Sequence, residues 1–234
     1  MSITINNTEV NGWEAAIRGM RSPMNSWDKS DSKKGCTECI DYDCMSWPEC
    51  KGKKTGFLIG PADLALMKKL ANAGSDHRKF LRFITVTVDI TAPLYWWKEF
   101  DTYKVGTVAN SCSTMHRIHA KEFTLDDFSH EHLSTDALTA LQVIVIYLNF
   151  ARDSFLRAKD KFNWYEMIQL LPTSYNQRRT VLLNYEVLRN MYNARKAHKL
   201  DEWRVGFCNW VKSLPYAELI TGGADDDGTG EGQA

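Results

Sequence analysis

The sequence predicts an α+β protein, and two kinds of pattern predict it. One segment, Lys79–Ile90, alternates Phe80, Ile84, Val86, Val88 and Ile90 with more polar neighbours and is rich in β-branched residues, as a half-buried strand requires. Around it stand longer stretches whose apolar residues recur at helical spacing between recognisable helix starts and stops.

In chain order, the first of these is IGPADLALMKKLANAG. Pro61 suits a first helical turn, Leu64, Leu66, Met67 and Leu70 form an apolar face, and Gly74 suits the stop. The strand follows. Thr91 is then placed to cap a helix opened by Ala92 and Pro93, APLYWWKEFDTYK. Further on, Ser134 precedes a long helix through Leu138, Leu141, Ile144, Val145, Leu148, Phe155 and Leu156. After Pro172, helical stretches are expected from about Gln177 to Ala197 and from Asp201 to Leu214, ending before Pro215. No internal repeat is present in the sequence.

The 234 residues are read as one domain over 1–220, carrying an insertion at 26–55 and ending in a disordered acidic tail at 221–234. An apolar content of 44% supplies a core, and 29 basic residues cancel 29 acidic ones, so no net field recruits nucleic acid or an anionic membrane. The N-terminus lacks the apolar run of a secretion signal, and no stretch reaches the roughly 18 apolar residues of a membrane span. A cytoplasmic location is therefore expected. Thiols stay reduced there, so Cys36, Cys39, Cys44 and Cys50 read as zinc ligands or as free cysteines rather than disulfides. The close pairs His116/His119 and His130/His132 lack partners at metal-binding spacing and read as solvated histidines.

The block SDHRKFLRFITVTVDITAPLYWWKEFDTYKVGTVANSCSTMHRI resembles the central signature of the flavin-dependent thymidylate synthases. In that family a histidine starts a strand, a helix follows, and an Arg-His-Arg motif leads on to a serine. Here His77 takes the place of the flavin-contacting histidine, Asn110 that of the asparagine before the signature serine, and Ser113 that of the serine. The Arg-His-Arg positions fall on Tyr103, Lys104 and Val105, or with a one-residue insertion on Thr102, Tyr103 and Lys104, and Ser111 replaces the usual glutamate. Lys104 can restore one charge but not the planar fork with which arginine holds phosphate. A second block, Leu148 to Arg204, is similar to the family's C-terminal half, with Leu171, Pro172, Asn184 and Arg195 in the family's order. The family's arginine ahead of Leu-Pro falls on Ile168 or Gln169.

The resemblance implies a small antiparallel sheet packed with several long helices, and a homotetramer whose sites lie between subunits. It implies FAD as cofactor, with NADPH and methylenetetrahydrofolate as co-substrates, and methylation of dUMP to dTMP or a related pyrimidine-nucleotide modification. It assigns catalysis to Arg195 and Ser113, flavin contact to His77, Asn184 and His198, and substrate contact to Lys104, Asn110, Ser113 and Arg195. Taken alone, Arg195 is a charge at a helix end and Asn184 sits within a helical stretch. Two rival readings remain: a binding protein of the same fold without catalysis, and a zinc-stapled interaction module working through the cysteine-rich loop.

Overall fold

A computed structural model of the chain describes residues 3–34 and 57–222. The cysteine cluster and all but the first two residues of the expected tail lie outside the described residues. Strand β1 (Thr4–Asn11) opens the fold, and helix α1 (Trp13–Arg21) follows at once. Gly12 makes this junction: its φ is +95°, and a Cβ there would lie 1.9 Å from the Phe83 carbonyl oxygen, so only glycine fits. A short antiparallel pair, β2 (Lys33–Lys34) and β3 (Phe57–Leu58), precedes helix α2 (Pro61–Asn72), which starts at Pro61 and is followed by Gly74 as the sequence predicts.

The strand expected from Lys79 starts later. Lys79–Phe83 forms a 3₁₀ turn, and β4 runs over Thr85–Pro93 with Val86, Val88 and Ile90 fully buried. Thr91 is thus a strand residue and not a cap. Helix α3 (Leu94–Phe100) needs no side-chain cap, because its first amides, at Leu94 and Tyr95, donate to the carbonyls of Tyr175 and Thr173 at 3.0 Å. After β5 (Val108–Ser111), the long helix is confirmed as α4 (Thr135–Ala158), with Ser134 accepting from the Ala137 amide. Lys159 turns left-handed at φ +54°, and Asp160 caps a separate helix, α5 (Lys161–Leu170).

The largest difference lies at residues 176–184, expected as helix and found as strand β6 (Asn176–Asn184). Gln177, Val181 and Leu183 are buried between exposed Arg178, Thr180 and Leu182, which is a period of two. Helix α6 (Tyr185–Arg195) begins only after Asn184. A π-helical turn at Glu202–Phe207 then leads into α7 (Cys208–Lys212), and α8 (Glu218–Thr221) follows. Thr221, expected at the head of a disordered tail, is the last residue of α8. No helix among the described residues is long and apolar enough to cross a membrane.

The main sheet is antiparallel and four-stranded, in the order β1-β4-β6-β5, as the α+β expectation requires. The chain forms two compact units, one of residues 3–7, Val88–Lys104 and Val108–Val181, the other of residues 8–34, 57–87, Val105–Thr107 and 182–222. In the first unit the inner face of α4, through Leu141, Val145, Leu148 and Ala151, packs with Met167 of α5 and with Ile118, Phe123 and Phe128. A second cluster there gathers Trp96, Trp97 and Phe100 of α3, with the Arg179 guanidinium 4.2 Å over the Trp97 ring. In the second unit Trp13 meets Tyr185 and Tyr216 edge-on at 5.3 and 5.2 Å, and the Tyr185 hydroxyl donates to the Pro215 carbonyl.

Candidate functional site

Past β5, the chain of the first unit folds into a single turn that the rest of the unit holds in place. The Cys112 amide donates to the Arg178 carbonyl at 3.0 Å, and Gln177 returns a hydrogen bond to the Cys112 carbonyl at 2.8 Å, tying this segment to β6. The Ser113 hydroxyl accepts from the His116 amide at 2.9 Å, and the Arg117 amide donates to the Ser113 carbonyl at 3.3 Å. Trp164 donates to the Met115 carbonyl and Arg152 to that of His119, at 3.0 and 3.1 Å. The turn is thereby fixed from outside, and the four-residue step from Ser113 to Arg117 puts both side chains on one side of it.

That side faces a cavity of about 550 Å³. Its walls combine the Ser113 and Thr114 hydroxyls, the cations Arg117, Lys121 and Arg178, and the rings of Phe123, Phe128 and Tyr175. Carboxylates line it too. Asp127 pairs with Lys121 and closes a reciprocal cap with Thr124, while Glu131 accepts from the Ser129 hydroxyl and the His130 amide at 3.1 Å. His130 Nδ1 lies 2.8 Å from the Phe128 carbonyl, so a neutral ring donates there and leaves Nε2 as an acceptor. Burial pushes the Tyr175 phenol above its ordinary value, and Asp127 and Cys112 add to this, so it is a neutral hydroxyl near pH 7. Asn176 also lines the cavity, but its Oδ1 is sealed from water and accepts no hydrogen bond among the described residues.

At the edge of the same lining, Arg178 is set by Asp89, whose carboxylate takes Arg178 at 2.6 Å, Thr180 at 2.5 Å and Asn7 at 2.8 Å. Hydrogen bonds from Thr180, Asn7 and Arg178 hold the Asp89 carboxyl down at about 2.

Of the residues singled out in the sequence, Ser113 lines this cavity. Asn110 is an exposed residue of β5, and Lys104 is exposed in the loop after α3, both in the first unit and neither in the cavity lining. His77, Asn184, Arg195 and His198 belong to the second unit. His77 is exposed in the turn after α2. Asn184 is not within a helix: it ends β6 and caps α6, its Oδ1 accepting from the Val187 amide at 3.0 Å. Arg195, the last residue of α6, lays its guanidinium 4.8 Å over Trp203, and the His198 ring meets the same indole edge-on at 6.4 Å. The fold thus brings Arg195 and His198 together on one aromatic surface. His119, read as solvated, packs 4.8 Å from Phe155 with its Nδ1 buried. Among the described residues no three metal-ligating side chains converge.

Sequence reading missed Arg117, Lys121, Arg178, Tyr175 and Asn176. A signal was present for Arg117 alone, in its helical step from Ser113. The others reach the cavity through the pairing of β6 and the return of the chain at Phe128↔Tyr175, which no local pattern announces.

No protein-family model matches the chain, and no curated protein matches its sequence. Solved structures do. Two crystal structures of the flavin-dependent thymidylate synthase X from Helicobacter pylori, with FAD and dUMP, match with TM-scores of 0.64 and 0.65 at 15% identity, covering 94% of this chain and 97% and 98% of theirs. The UMP/dUMP methylase PolB from Streptomyces cacaoi, bound with 5-Br dUMP, matches with a TM-score of 0.57 at 14% identity and 94% coverage of both chains. Over nearly its whole length, this chain has the fold of the thymidylate synthase X structures.

Proposed function

We propose that the protein modifies a pyrimidine nucleotide with a reduced flavin, in the first instance methylating dUMP to dTMP. The observation that carries this reading is the cavity beside Ser113: hydroxyls and cations suited to a phosphate, and rings suited to a base. Support comes from the fold it shares with proteins crystallised with FAD and dUMP or with 5-Br dUMP.

For the cofactor, the donor set is chemically apt. The exposed His77 ring is free of side-chain hydrogen bonds among the described residues. Asn184 keeps its amide N–H after capping α6, and the His198 ring is oriented by the hydrogen bond its Nδ1 accepts from the Leu200 amide. These three would hold FAD; Ser113 in the first unit and Arg195 in the second are each proposed as substrate contacts. The chemistry such a cofactor would supply is hydride from the reduced flavin to complete the methyl group, with methylenetetrahydrofolate as the carbon source and NADPH as the reductant of the flavin. The protein's own part is to orient the nucleotide and exclude water. Lys104 and Asn110 are proposed as further substrate contacts, and a cytoplasmic setting accompanies this reading.

The homotetramer is part of the proposal. Val143, Ile146, Tyr147 and Phe150 make an uncharged outward stripe on α4, each between 47% and 66% exposed. A stripe without charge can meet its own copy about a twofold axis and leave nothing unpaired. Zinc on Cys36, Cys39, Cys44 and Cys50 is proposed as a staple of the loop, to be measured as bound metal per chain.

A second reading, a nucleotide- or flavin-binding protein without catalysis, is favoured by one feature: both arginines of the Arg-His-Arg motif are absent. One experiment separates the two. Purified protein is titrated with FAD and followed by absorption, then assayed with dUMP, NADPH and methylenetetrahydrofolate. A bound flavin and formation of dTMP are expected. Flavin binding with no turnover of any uracil nucleotide selects the second reading, and indifference to flavin removes the first.

A further inference from the structure

The cavity beside Ser113 holds three cations, yet two are already committed. Lys121 is paired with Asp127, and Arg178 with Asp89 at 2.6 Å. Arg117 has no ion pair or hydrogen bond from its side chain among the described residues, and it is exposed at the cavity wall. Its backbone is nonetheless fixed, because the turn from Ser113 is pinned by Trp164 on Met115 and by Arg152 on His119. An unpaired guanidinium on a braced turn, sharing a face with the Ser113 and Thr114 hydroxyls, is a preorganised anion anchor.

We infer that Arg117 is the phosphate-binding residue of this protein, taking over from the arginines missing around Lys104; the inference rests on the nucleotide reading given above. The chemistry of the walls agrees with a phosphomonoester carrying a sugar and a base ring, and not with a bare anion. The carboxylates Asp127 and Glu131 are satisfied by neighbours and so do not oppose the phosphate in full, while Asp126, exposed in the lining, is an acceptor for a sugar hydroxyl. Arginine is the fitting residue here, since its fork meets two phosphate oxygens at once.

The test compares dUMP, deoxyuridine and inorganic phosphate as ligands of the full chain by calorimetry, for the natural protein, Arg117→Ala and Arg117→Lys. Arg117 is exposed and its side chain makes no hydrogen bond or ion pair among the described residues, so both variants should melt where the natural protein does. Loss of a charge-assisted bidentate contact should weaken dUMP binding by about ten- to a hundredfold in Arg117→Ala, with Arg117→Lys between and deoxyuridine unchanged. Equal weakening of dUMP and deoxyuridine would place Arg117 away from the phosphate and overturn the inference. So would unchanged dUMP affinity in Arg117→Ala, and either result would leave the nucleotide reading standing. A natural protein that binds none of the three ligands would overturn both.

Discussion

Asp63 is the most demanding single residue of the second unit: it is fully buried on α2 and holds three donors, Arg21 Nε, the Ser30 hydroxyl and the Ser32 hydroxyl, each at 2.6 Å. Burial alone would raise its carboxyl; the hydrogen bonds from Ser30, Ser32 and Arg21, and the charge of Arg21, outweigh this and hold it below the ordinary carboxylate value. Its folded pKa is thus lower than its unfolded one. The stabilisation is fully present above the unfolded value near 3.8 and is lost as the pH falls through the lowered folded value. Replacing Arg21 by alanine strands a buried charge, and urea unfolding at neutral pH should record a loss of about 3–5 kcal/mol. A loss below about 1 kcal/mol would mean that the two serines alone satisfy Asp63. The pairing of Arg21 with Asp63 was invisible in the sequence, because 42 residues separate the partners and neither sits in a motif.

At the scale of elements, the junction of β6 and α6 decides how Asn184 is to be understood. As a helix cap it contributes stability, and as a candidate flavin contact it would use its remaining amide N–H. Two substitutions separate these roles. Asn184→Asp keeps the capping oxygen and should leave the melting temperature nearly unchanged, while losing FAD affinity if the amide meets the flavin. Asn184→Ala removes both and should cost about 0.5–2 kcal/mol of stability in addition. Equal FAD affinity in the natural protein and in Asn184→Asp would confine the residue to capping. The strand before this cap was misread as helix because Gln177, Arg178, Arg179 and Leu182 are all good helix formers. Pairing with β4 and β5 on either side overrides that preference and buries Gln177, Val181 and Leu183. Helices α2 and α4, by contrast, were legible, since proline at the first turn of one, the Ser134 cap of the other and the apolar spacing of both act locally.

For the molecule as a whole, the outward stripe of α4 gives the assembly proposal its test. The double substitution Ile146→Glu and Phe150→Glu should lower the mass found by sedimentation from that of a tetramer to a smaller species, with helix content retained. A natural protein that sediments as a monomer would end the proposal. The sequence by itself determined the α+β class, the long helix with its cap and the strongly alternating strand, because each rests on contacts between residues near in the chain. Only the tertiary structure decided that β6 is a strand, that Tyr175, Asn176 and Arg178 meet the turn at Ser113 around one cavity, and that Arg117 is the lining arginine without an ion pair among the described residues. The physical reason is that sheet pairing and cavity walls join segments more than sixty residues apart, as Gln177 and Cys112 do across 65 positions, and local preference carries no record of such partners.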